Sequence, residues 1–176
     1  MLVNEANKTK MNIQKITARF LQYNLWANER LTSWLLTLPK KTLYEMTGSS
    51  FGTIDRTLQH ILAAEIYWNA VILKGEINAF NQTVKENSLE EVIAALVSSS
   101  QKLLNELSSF NEQQLLEIIT TSDSKQSRYE YILHVVNHGS YHRGQIVTLC
   151  RILGVTLEVP VTDYDGYLWW IENNKQ

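Results

Sequence analysis

The sequence is poor in the residues that break helices, and it holds a single cysteine, Cys150. Two prolines and seven glycines in 176 residues are few for a chain of many short strands and tight turns, so a mainly helical protein is expected. One cysteine excludes an internal disulfide. No stretch approaches the roughly 20 apolar residues of a membrane span, and the first residues lack the apolar run of a signal peptide. We therefore expect a soluble, cytoplasmic protein.

An excess of charge of either sign is also missing. The net charge of -2 and the pI of about 6.1 give no basic surface for nucleic acid or for an anionic membrane. We therefore expect neither as a partner. At this length, residues 1–176 are expected to form one domain that buries a substantial core.

Four long helices are predicted from apolar residues that recur at helical spacing. Capping boxes at Ser88 and Ser127 mark the starts of the third and fourth, and Thr53 and Gly75 are the predicted cap and stop of the second. A short terminal helix is expected after Asp163. The four long helices are predicted over residues 12–36, 53–74, 88–107 and 127–153.

The connection between the second and third predicted helices bears on topology. Residues 75–87 could extend about 40 Å at most, which is enough to run back along the second helix. The second and third helices could then be parallel. The sequence therefore predicts an all-α four-helix bundle with up-down-down-up order and a crossover between its second and third helices.

The four histidines are the chain's most informative feature. His134, His138 and His142 recur every four residues on one face of the fourth predicted helix. His60 lies in the middle of an otherwise apolar face of the second. Because buried polar patches are costly unless they are paired, a metal ion between the two helices would satisfy both. Three imidazoles would leave one metal position open, as catalytic zinc sites do.

Two alternatives remain at this stage. The histidines could instead face solvent or hydrogen-bond to one another. Within a metal site, His134 with His138 has the same spacing as His138 with His142, so the residues alone do not choose the pair. Because neutral imidazole binds metal, affinity should fall as the pH drops below the ordinary histidine pKa of about 6.5.

Other polar residues on these helices have predicted roles outside catalysis. Glu65 lies about 140° from His60 around its helix, so a packing or salt-bridge role is expected rather than that of a general base. Gln145, on the histidine face, supports a metal ligand or simply packs. Arg143 points away from that face, and an ion pair is expected there. Cys150 is expected in the core.

A homodimer is predicted from the opposite face of the fourth helix. Val136 and Val147 lie on the side away from the histidines. Gly139 and Gly144 lower helix propensity, and close approach of a neighbouring helix would explain them. That neighbour could belong to the same chain or to a second copy.

Four segments resemble the DinB family of four-helix-bundle metalloenzymes. They follow the family's order across nearly the whole chain, and the most specific is the Asn-His-x-x-x-His-Arg-Gly-Gln string with an upstream His-Ile. The segments are Tyr23-Asn-Leu-Trp-Ala-Asn28, Phe51 to Trp68 with His60-Ile61, His134 to Ile146, and Pro160-Val-Thr-Asp163-Tyr164.

The resemblance implies a bundle with the crossover connection, often dimeric. It also implies a divalent metal, typically zinc or nickel, on His60, His138 and His142, with His134 beside them. Relatives in the wider superfamily are transferases and isomerases that use low-molecular-weight thiols. The chain departs from the family pattern at Asn69, where an arginine is expected nearby, and at Asp165, where an apolar residue is usual.

The leading functional hypothesis is a metal-dependent enzyme that transfers a low-molecular-weight thiol to a small electrophile. The alternatives are metal-assisted hydrolysis and a non-catalytic module that binds a metal or small ligand. The sequence lacks the glutamate of His-Glu-x-x-His, which disfavours peptide hydrolysis. A purely structural metal is disfavoured because structural zinc usually has four protein ligands.

Overall fold

The computed structural model describes residues 11–74 and 88–174. These residues form seven helices and one two-stranded antiparallel sheet, so the prediction of an all-α class is confirmed, with a small hairpin added. The elements are α1 (Ile13–Leu35), α2 (Lys40–Tyr44), α3 (Ile54–Lys74), α4 (Leu89–Leu107), α5 (Glu112–Leu116), β1 (Ile118–Thr120), β2 (Lys125–Ser127), α6 (Arg128–Ile152) and α7 (Tyr164–Asn173).

The long helices begin at the residues that the sequence predicts. The side chains of Ser88 and Ser127 each accept a hydrogen bond from the backbone N–H of the glutamate three residues later. That glutamate's carboxylate accepts from the serine backbone N–H in return, so both capping boxes form. Asp163 caps α7 as expected. Gly154, with φ of +82°, follows the end of α6, a conformation that favours glycine. The predicted stop at Gly75 lies outside the described residues.

The core of the bundle contains two hydrophobic clusters, and each of the four long helices contributes to both. The first cluster joins the early parts of α3 and α4 to the late parts of α1 and α6. The second cluster joins the opposite ends of the same helices. The up-down-down-up order predicts this sharing, but the crossover, residues 75–87, lies outside the described residues, so the topology stays a prediction. Representative members are Leu35, Leu58, Leu96 and Ile146 in the first cluster and Leu21, Ile72, Leu103 and Ile132 in the second.

A third, aromatic cluster covers the face of α6 that lies away from the histidines. Val136 shares this cluster with Tyr23 and Trp26 of α1 and with Tyr167 of α7. Helices of the same chain therefore cover Val136, one of the residues from which a homodimer is predicted. The homodimer stays a prediction.

None of the helices within residues 11–74 and 88–174 combines the length and the apolar character that crossing a lipid bilayer requires.

Candidate metal centre

Two neighbouring helices supply the histidines of the site. His60 lies in the second turn of α3, and His138 and His142 lie four residues apart near the middle of α6. Residues at this spacing stand one above the other on the same helix face. Because α3 and α6 pack against each other, that face of α6 meets His60. We call His60, His138 and His142 the histidine cluster.

The ring nitrogens of the histidine cluster converge. His138 Nε2 lies 3.2 Å from His60 Nε2 and 3.1 Å from His142 Nε2. One ring nitrogen from each of the three residues lies within 4.8 Å of the other two. Two nitrogens bound to one tetrahedral zinc ion at about 2.0–2.1 Å would lie about 3.3 Å apart. The spacing therefore fits a single divalent ion held by these three side chains.

The tautomer of His142 fits a metal ligand as well. Its Nδ1 lies 2.8 Å from Gln145 Oε1, which accepts a hydrogen bond from the Nδ1–H group. In a neutral imidazole the lone pair is then on Nε2, the nitrogen that faces His138. Gln145 thus orients the ring of His142. Its predicted support of a metal ligand stays a prediction.

The site keeps its imidazoles neutral. Burial, followed by the neighbouring His142, His60 and His134, lowers the pKa of His138 to about 4. Burial also lowers the pKa of His60 and of His142, although the hydrogen bond to Gln145 opposes the change for His142. At neutral pH the three rings are therefore in the form that binds metal.

Aromatic side chains flank the cluster. Phe51 stacks on His60 with ring centroids 4.2 Å apart, and it meets His142 edge-on at 5.6 Å. The exposed ring of Tyr141 contacts His142 at 5.0 Å. Sequence reasoning missed Phe51 as a site residue, because it lies in the loop before α3 and no helical periodicity applies there.

His134 lies at the edge of the site. Its ring meets Trp68 edge-on at 4.7 Å and is 6.0 Å from that of His138. The group of three that the structure brings together contains His142 rather than His134. Of the two pairs left open by the sequence, His138 with His142 is thus the one that joins His60.

A buried polar layer lies on the other side of α3 and α6, away from the histidines. It consists of Asn24, Asn28, Glu65, Ser100 and Arg143. The Glu65 carboxylate accepts hydrogen bonds from Ser100 Oγ at 2.7 Å and from Asn24 Nδ2 at 3.2 Å. Burial raises the pKa of Glu65. Both oxygens of the carboxylate accept hydrogen bonds inside this layer, which agrees with the prediction that Glu65 is not a general base.

Arg143 joins this polar layer through neutral groups. Its Nη1 donates to Asn24 Oδ1 at 3.1 Å and to Asn28 Oδ1 at 2.8 Å. Its Nη2 donates to Ser140 Oγ at 2.9 Å. The sequence led us to expect an ion pair here. Instead, Asn24 bridges the guanidinium to Glu65 directly, and Asn28 does so through Ser100. Burial lowers the pKa of Arg143, and Tyr23 and, to a smaller extent, the charge of Glu65 oppose that change.

The two departures from the family pattern lie away from the histidine cluster. Asn69 Nδ2 donates to Ser99 Oγ at 2.9 Å, which ties α3 to α4. Asp165 lines a separate cavity beside Trp169, next to α1. Cys150 is buried in the first cluster, as expected. None of these three residues contributes to the candidate metal centre.

Comparisons with known proteins agree with this architecture. The sequence model of the DinB family matches residues 6–175. Protein DinB of Bacillus subtilis (strain 168) is 26% identical over 167 residues, which cover 89% of this chain and 96% of that protein. A solved DinB-like protein from Bacillus subtilis superposes with a TM-score of 0.65 at 17% identity, over 82% of this chain and 98% of its own. A second solved DinB-like protein, from Bacillus cereus ATCC 10987, superposes with a TM-score of 0.64 at 22% identity, over 81% of this chain and 94% of its own. These two likenesses concern the fold.

Proposed function

Since the chain belongs to the DinB family, we propose that it binds one divalent metal ion through His60, His138 and His142 and uses that ion in catalysis. The observation that carries the proposal is the convergence of three ring nitrogens from two helices. The hydrogen bond from His142 to Gln145 supports it, because it turns the lone pair of the ring toward the other two nitrogens.

The donor set bears on the choice of ion. Imidazole nitrogens suit zinc and nickel among the biological divalent metals, and we propose one of these two. With three protein ligands, a coordination position remains for water or for a substrate, as in catalytic zinc sites. His60 and His138 are only partly buried, so a small molecule can reach them from solvent.

We propose the transfer of a low-molecular-weight thiol to an electrophilic small molecule as the reaction. A bound divalent ion would supply Lewis acidity that lowers the pKa of a thiol. The chain's own contribution is a set of neutral, partly buried imidazoles and an aromatic wall, Phe51, beside them.

Metal-assisted hydrolysis is the second candidate. It would need a general base near the histidine cluster, and Glu65, the carboxylate weighed for that role, is buried in the polar layer with its oxygens bonded to Asn24 and Ser100. This engagement favours thiol transfer. A module that binds a metal or small ligand without catalysis would share the same geometry, and a screen for thiol transfer distinguishes it.

The metal proposal is tested with two matched alanine variants on α6. His142→Ala should abolish stoichiometric zinc binding, whereas His134→Ala, four residues to the other side of His138, should retain it. Metal content after dialysis and isothermal titration measure this directly. An equal loss of zinc binding in both variants would contradict the assignment of His142, rather than His134, as a ligand.

The same samples separate a catalytic metal from a structural one. Circular dichroism of wild-type protein with and without chelator should show unchanged helicity, because the two hydrophobic clusters contain every long helix without the ion. If the metal were structural, its binding free energy would be folding free energy, and chelation would unfold the chain.

Assembly and location also belong to the proposal. We propose a homodimer, which the molar mass in solution at micromolar concentration tests. We propose a cytoplasmic location, where low-molecular-weight thiols are kept reduced.

A further inference from the structure

A groove runs along α6 directly beside the histidine cluster. Its volume is about 530 Å³, within the range of small-molecule sites. One wall is the loop before α3, and the other is the last two turns of α6. The groove is lined by Met46, Thr47, Gly48, Ser49, Ser50, Gln145, Thr148, Leu149, Ile152 and Leu153.

Two residues connect the groove to the candidate metal centre. Gln145 lines the groove and also accepts the hydrogen bond from His142 Nδ1. Phe51 follows Ser50 in the loop and stacks on His60. The far end of the groove, at Ile152, is ten residues beyond His142 on α6, or about 15 Å at the helical rise. The end of the groove at Gln145 therefore lies next to His142.

The loop wall is held in shape by its own hydrogen bonds. The Thr47 backbone N–H donates to the Gly52 carbonyl at 2.7 Å, and the Thr47 hydroxyl donates to Ser49 Oγ at 3.0 Å. Gly52 has φ of +82°, and a Cβ there would lie 3.0 Å from the Met46 methyl group, so this turn requires glycine. These contacts fix the shape of the loop wall of the groove.

The chemistry of the lining indicates the class of ligand. All ten lining residues among those described are uncharged, with four apolar side chains, four hydroxyls, one amide and a glycine. A charged ligand would lose hydration there without gaining an ionic partner. An uncharged molecule with an apolar body and a few hydrogen-bonding atoms matches the apolar side chains and the hydroxyls together.

We infer that this groove binds the uncharged electrophile of the thiol-transfer reaction, while the thiol occupies the histidine cluster. This inference rests on the proposed function. In the transfer, the thiol gives up its proton to solvent and its sulfur forms a bond to the electrophilic carbon. The bond from that carbon to the leaving group breaks, and the leaving group departs with the electron pair as an anion.

The experiment uses three fluorinated probes of equal size and different charge: 4-fluorobenzamide, 4-fluorobenzoate and 4-fluorobenzylammonium. Their affinity for the full chain is measured by ¹⁹F NMR line broadening in zinc-free protein, so that benzoate cannot bind a metal ion. We expect the amide to bind at least tenfold more tightly than either charged probe. Equal or tighter binding of a charged probe would overturn the assignment of ligand class.

Matched tryptophan variants locate the binding. Thr148→Trp places a large ring in the groove from an exposed position on α6, whereas Ser33→Trp makes a similar change at an exposed position of α1 that does not line it. Thr148→Trp should weaken binding of 4-fluorobenzamide at least tenfold, with helicity unchanged. Unchanged affinity in Thr148→Trp, or an equal loss in Ser33→Trp, would overturn the site.

Zinc binding measured on the same samples separates this inference from the proposed function. If 4-fluorobenzamide binds in the groove but zinc does not bind, the metal proposal fails and the groove as a site for an uncharged molecule stands. If zinc binds to the histidines and the probe does not bind, the groove assignment fails alone.

Discussion

The three imidazoles of the histidine cluster differ in what holds each one. His142 is oriented by Gln145, His60 is covered by Phe51, and His138 stands between the other two. The histidine spacing on α6 and the isolated His60 could be recognised in the sequence. The contact between Phe51 and His60 could not be recognised in the sequence, because it depends on how the loop before α3 folds back over that helix.

The depressed histidine pKa values predict how the metal-free protein responds to acid. Unfolded histidines bind protons near pH 6.5, whereas burial lowers the folded pKa of His138 to about 4. The unfolded state therefore binds more protons between these two values, so the free energy of unfolding should fall as the pH drops from about 6.5 toward 4. Urea denaturation of chelated protein between pH 7.5 and 4.5 measures this.

His138→Gln provides the control for this pH dependence, because glutamine does not titrate. The variant should lose less stability over the same pH interval, while keeping the part that comes from His60 and His142. Parallel curves for the variant and the wild type would show that His138 does not carry the effect.

Helix α6 carries two separate polar faces. One presents the histidines toward α3, and the other presents Ser140 and Arg143 toward α1. Gly139 lies at the second face, where a Cβ would come within 2.9 Å of Arg143 Nη1 and 3.1 Å of Asn24 Oδ1. The close neighbour that was expected beside a glycine of α6 is thus Asn24 of α1, in the same chain. At Gly144 a Cβ would meet nothing within 4 Å.

This contrast between the two glycines predicts opposite effects of alanine. Gly139→Ala should lower the free energy of unfolding by about 1–3 kcal/mol, because the buried guanidinium and Asn24 must give way. Gly144→Ala should raise it by up to about 1 kcal/mol through helix propensity alone. Chemical denaturation of both variants is the measurement, and a gain in stability for Gly139→Ala would contradict the close contact.

The polar layer predicts strong coupling between α3 and α6. Arg143→Met should lower the free energy of unfolding by about 1–3 kcal/mol, because the carbonyl oxygens of Asn24 and Asn28 then lose their buried donor and Glu65 loses its nearby cation. Adding Glu65→Gln should recover part of that loss, since an amide carries no charge. A double-mutant cycle should give a coupling energy of about 0.5–3 kcal/mol. Additive effects would mean that the two charges do not interact.

At the scale of the whole molecule, the long helices were predictable because their ends carry local signals. Ser88 and Ser127 form capping boxes within four residues of sequence. Helices α2 and α5 and the hairpin of β1 and β2 were missed, since elements of three to five residues are too short to show a period. The polar layer was missed for the opposite reason: Arg143 and Asn24 are 119 residues apart, and no local pattern links them.

The position of the polar layer has a consequence for the alignment of the helices. On each of the four long helices, the members of the layer fall between the stretch that joins the first cluster and the stretch that joins the second. Sliding one helix by a single turn, about 5.4 Å, would move Glu65 or Arg143 against apolar side chains and leave its former partners unpaired. Leucine-rich stripes alone would tolerate such a slip. The layer therefore selects one axial register, and with it the height at which His60 meets the histidines of α6.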